Sequence, residues 1–87
     1  MTLVKKREMA KDSNIVHQYF RKDFAEGFIL VKVNPVHYTG TELTVLPDGK
    51  VESRNLQFDA DILEDLAIDG FHPASAMAFN LYFAGLL

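Results

Sequence analysis

The stretch HYTGTE, residues 37–42, holds an imidazole, a phenol, two hydroxyls and a carboxylate in one short span. A base such as His37 near a hydroxyl such as Thr39 is the minimum for activating a nucleophile. The group that would orient the base is not identifiable from the spacing, so the stretch names no catalytic residue. His37, Tyr38, Thr39 and Glu42 are instead the candidate lining of a ligand site, in a connection beside a strand end where rigid sheets often carry their sites. Connections also collect such residues by chance, and that bland reading stands beside the functional one.

The chain's three histidines, His17, His37 and His72, fall in separate segments. A metal centre needs at least two of them to converge with a carboxylate, and no ligand spacing points to that. The sequence contains no G-x-S-x-G, no H-E-x-x-H and no glycine-rich phosphate loop, so no catalytic residue, metal or cofactor is expected.

Carboxylates concentrate in FDADILEDLAIDG, which carries Asp59, Asp61, Glu64, Asp65 and Asp69. A calcium loop would set oxygens at alternate positions around a glycine turn. Ile62, Leu63 and Leu66 make the segment an amphipathic helix instead, with Asp59 read as its cap and Asp61, Glu64 and Asp65 turned outward. Those three are candidate contacts for a basic partner.

These groups sit in a chain of 87 residues, 48% hydrophobic and 24% charged, enough for one folded core. Without cysteine there is no disulfide framework or thiolate metal site. The net charge of −3 is unevenly spread: residues 1–26 carry six Lys/Arg against four Asp/Glu, and residues 27–87 carry three against eight. Nucleic acid is therefore disfavoured as a partner, since a duplex-binding face concentrates positive charge. Residues 1–12 read as a flexible basic arm ahead of a single domain over 13–87. The opening MTLVKKREMAKDSN lacks the continuous apolar run of a secretory signal, and a cytoplasmic location is expected.

The elements follow from periodicity. Val16, Phe20 and Phe24 recur at i, i+4 and i+8 and predict a helix over about 13–25, with a strand as the competing reading because IVHQYF is rich in β-branched and aromatic residues. GFILVKVN predicts a strand over 28–33 buried on both faces. TELTVLPDGKVESRNLQF predicts a hairpin around PDG, with strands 42–47 and 50–58, placing Leu43, Val45 and Val51 on one face and Thr44, Glu52 and Arg54 towards water. Helices are predicted over 60–69, ended by Gly70, and over 73–86, with Pro73 in the first turn. The expected fold is α+β, a small three-stranded antiparallel meander covered on one face by helices.

The closing run PASAMAFNLYFAGLL, fifteen residues, falls short of the roughly 20 needed to cross a bilayer. At about 100° per residue its apolar groups span most of the wheel, so it reads as core or as a core shared with a second copy. Phe79, Asn80, Tyr82 and Phe83 are accordingly candidate partner-binding residues. The function expected from the sequence is a non-enzymatic interaction domain acting through a protein partner or as a homodimer, without a membrane. The alternative is a small-molecule-binding domain or minor enzyme with its site at His37–Glu42.

Overall fold

In a strand, consecutive side chains point to opposite faces, so the run of apolar residues in GFILVKVN must bury two surfaces at once. The computed structural model, which describes residues 15–85, places this segment as strand β2 (Gly27–Asn34) at the centre of an antiparallel sheet. Leu30 is buried on one face and Val31 and Val33 on the other. The expected arm over 1–12 lies outside the described residues.

Around β2 the chain forms β1 (Gln18–Phe24), β3 (Thr39–Val45), β4 (Val51–Gln57) and a two-residue β5 (His72–Pro73), in the spatial order β4-β3-β2-β1-β5. Helix α1 (Ile62–Ile68) precedes β5, and helix α2 (Ala76–Phe83) follows it. The α+β class is as expected, with a sheet of five strands rather than three.

The predicted helix over 13–25 is instead β1, paired with β2 from Gln18↔Val33 to Phe24↔Gly27. A spacing of four residues is close to one helical turn of about 3.6 but also equals two strand repeats. Phe20 therefore joins one face of the sheet while its neighbour Tyr19 joins the other. Antiparallel pairing along the whole of β2 is what selects the strand.

The helices do not share one face. On the first face, Leu30 and Leu43 pack with Phe79 of α2, flanked by Tyr19, Phe28, Ala74 and Tyr82. On the second, Val31 and Val33 pack with Leu66 of α1, flanked by Phe20, Ile29, Phe58 and Phe71. Each helix covers one apolar side of β2, and the sheet lies between them.

Local chemistry sets the remaining boundaries. The PDG hairpin closes as expected, with Leu46 N–H donating to Lys50 O at 2.8 Å and Gly49 at φ 90. Helix α1 ends on Gly70, φ 90, with Gly70 N–H bonded to Ala67 O and Phe71 N–H to Leu66 O, the Schellman pattern that a C′ glycine permits. Its start differs from the reading above: Asp61 stands at the N-cap without a side-chain cap bond, and Asp59 contributes its backbone carbonyl to Ile62 N–H at 3.1 Å. Pro73 is not in the last helix either. It pairs with Phe20 in β5, and Ser75 caps α2 by accepting from Ala78 N–H at 3.0 Å.

Gly40 sits where the backbone approaches most closely. A Cβ there would collide with the Lys32 carbonyl and lie 2.6 Å from the Phe58 ring, which crosses the strand at this point. Gly40→Val is expected to dislodge Phe58 and destabilise the fold by roughly 1–3 kcal/mol. Leu30→Ala should cost about 2–5 kcal/mol, whereas Val36→Ala, in the exposed turn, should stay within about 0.5 kcal/mol. Urea denaturation followed by circular dichroism measures all three.

Candidate functional site

The turn between β2 and β3 is held by Asn34, whose Oδ1 accepts the N–H groups of Val36 at 2.9 Å and His37 at 3.0 Å. This leaves His37 exposed at the tip. Tyr38 takes φ 56, and its carbonyl accepts from Phe58 N–H at 2.7 Å. Thr39 and Glu42, three residues apart on β3, point to opposite faces. Glu42 accepts a hydrogen bond from Arg54 Nε at 2.8 Å, on the face that α1 covers. The strand geometry thus separates Glu42 from Thr39 and from the turn that carries His37.

What the sheet does bring together lies on the α2 face, at the end that α2 leaves open. Lys32 of β2, Thr39 and Thr41 of β3, and Asn55 and Gln57 of β4 line a cleft of about 540 Å³, joined by His17 and Asn34. Thr41 Oγ1 donates to Asn55 Oδ1 at 3.2 Å. Among the described residues Lys32 has no carboxylate within the 4.0 Å reach of an ion pair. Partial burial and the Lys32 ammonium together hold the His17 imidazole below its ordinary pKa, against the opposing bond to the Ile15 backbone. His17, Thr39 and Thr41 drew notice in the sequence by residue type, whereas Lys32, Asn55 and Gln57 did not, because only the register of three strands sets them side by side.

The α2 candidates divide. Phe79 is 1% exposed and belongs to the protein's own core, 5.6 Å from Tyr19. Tyr82 packs edge-on against Phe28 at 5.2 Å. Phe83 stacks on Phe79 but is 57% exposed, and Asn80 is exposed beside it. Between the end of α2 and the β3–β4 hairpin runs a groove of about 410 Å³, lined by Leu43, Val51, Ser53, Tyr82 and Phe83. Asp61, Glu64 and Asp65 are exposed on and beside α1, away from this groove.

Beside the groove, β4 forms the outer edge of the sheet. Leu46 N–H donates to Lys50 O, and Phe58 N–H to Tyr38 O, so even-numbered residues bond towards β3. By the alternation of an antiparallel ladder, Val51, Ser53, Asn55 and Gln57 direct their N–H and C=O groups outward. Among the described residues no strand pairs with them. At the opposite side of the sheet, Arg21 bonds Asp23 at 2.8 Å and lies 3.7 Å above the Phe28 ring. The Arg21 hydrogen bond, with a smaller contribution from His72, lowers the Asp23 pKa.

The described residues hold no cluster of three or more potential metal ligands and no helix long and apolar enough to cross a membrane. Compared with protein-family models, curated proteins and solved structures, the chain matches none.

Because folding lowers the His17 pKa, the unfolded chain binds the proton more readily, so the His17 contribution turns against the fold as pH drops below 6.5. Lys32→Gln removes the repelling charge and should raise the His17 titration midpoint, read by NMR of the imidazole. An unchanged midpoint would show that Lys32 does not face His17.

Proposed function

We propose that this protein is a non-enzymatic interaction domain that docks a protein partner along the outer edge of β4. The observation that carries the reading is the combination at that edge: a seven-residue strand with its outer backbone groups unpaired among the described residues, beside a groove edged by the exposed Phe83 ring. Extended strands add to such edges through main-chain hydrogen bonds, and neighbouring pockets supply selectivity. Proteins that remain single usually protect an edge with proline, lysine, a bulge or a covering element. β4, VESRNLQ, contains no proline or lysine, and its pairing with β3 is unbroken from Thr39↔Gln57 to Val45↔Val51. Asn80 and Phe83 extend the docking surface, Tyr82 and Phe79 support it from beneath, and a cytoplasmic setting belongs to the same reading. The acidic residues Asp61, Glu64 and Asp65 offer a separate surface for a basic partner.

A photo-crosslinking amino acid at Ser53, introduced in the cells that make the protein, tests this directly. A discrete adduct identified by mass spectrometry, absent when the same group replaces Ile68, is the expected result. Equal labelling at both positions would remove the reading.

The polar cleft favours a second reading, a small-ligand domain, on the single observation that Lys32 faces it without a carboxylate among the described residues. Titration with inorganic phosphate and with succinate, followed through the Lys32 and Thr41 amide resonances, should give saturable shifts if the cleft takes anions. Linear, non-saturating shifts would remove it.

A further inference from the structure

Resting on the strand-docking reading, we infer that the occupant of the β4 edge is a second copy of the same chain, paired antiparallel about a two-fold axis at Ser53. The charge pattern of the strand points to this. β4 carries two charged side chains, Glu52 and Arg54, two residues apart and therefore on one face. Pairing about Ser53 sets Glu52 opposite Arg54 of the second copy, and the reverse, in one symmetric step. Shifting the axis to Arg54 would oppose two arginines, and shifting it to Glu52 would oppose two glutamates. Registers that pair odd with even residues would leave outward-pointing N–H groups facing residues whose own groups point inward.

The backbone phase supports the same register. Ser53 directs its N–H and C=O outward, so Ser53 opposite Ser53 exchanges both bonds, with Val51 and Asn55 continuing the ladder on either side. Glu52 and Arg54 then fall on non-hydrogen-bonded pairs, where cross-strand side chains approach most closely. Arg54 gives its Nε to Glu42 of its own chain at 2.8 Å, which leaves the other guanidinium N–H groups free to reach the new carboxylate. Glu52 has no cation within 4.0 Å among the described residues, so pairing supplies one. Directly opposed residues share a face, so the α2 faces of the two copies become continuous. The groove beside Val51 and Phe83 would then gain a wall from the second copy.

Sedimentation equilibrium over a range of concentrations, with the full chain, tests the inference. The wild type should dimerise. E52R alone places arginines opposite each other and R54E alone places glutamates opposite each other, so each should weaken the dimer about tenfold or more. An equimolar mixture of the two variants should recover it, because both charged positions of one chain are then positive and both of the other negative. S53P removes an N–H that the β3 ladder does not use and should give a folded monomer by circular dichroism. That variant keeps the test valid if R54E proves unstable through loss of its Glu42 bond. A wild-type monomer at every concentration overturns the second-copy inference, as does a dimer indifferent to all three substitutions. A crosslink from Ser53 to a different protein would also overturn it while leaving the interaction reading in place.

Discussion

The structure depends on one constraint, the burial of both faces of β2. Leu30 at 0% exposure faces one side and Val33 at 0% the other, so neither face can be left to water. At roughly 25 cal/mol per Å² of apolar surface removed from solvent, leaving either side bare would forfeit much of the stability of so small a domain. The flanking strands β1 and β3 protect the edges of β2, and the helices protect its faces. α2 brings Phe79 to Leu30 and Leu43, and α1 brings Leu66 to Val31 and Val33.

This arrangement also decides what stays uncovered. Helices of eight and seven residues cannot roof a sheet of this width. On the α2 face the unroofed end carries polar side chains, Lys32, Thr41 and Asn55, which tolerate water and form the cleft. On the far edge nothing among the described residues completes the β4 ladder, and the exposed Phe83 overhangs that side. The candidate surfaces are thus the places where the covering elements run out.

Much of the local structure was legible in the residues. The PDG turn, the buried strand in GFILVKVN and the Gly70 helix stop depend on contacts within a few residues, and each formed as read. The segment around Phe20 did not, because its four-residue spacing fits helix and strand alike. The placement of helices on one face overlooked a consequence already present: a strand apolar on both sides requires cover on both. Of the candidate site, Thr39 was found by residue type, while Lys32, Asn55 and Gln57 carry no local signal. They come from three strands and meet because Lys32 pairs with Thr41, and Thr41 with Asn55.

The sequence by itself determined the α+β class, the PDG hairpin and the end of α1, since these follow from backbone preferences and periodicity at short range. Only the tertiary structure decided that residues 18–24 are a strand, that the helices lie on opposite faces, and that Thr39 and Glu42 face apart. Those outcomes turn on strand register and on which surface each helix must cover, which are set by partners far apart in the chain.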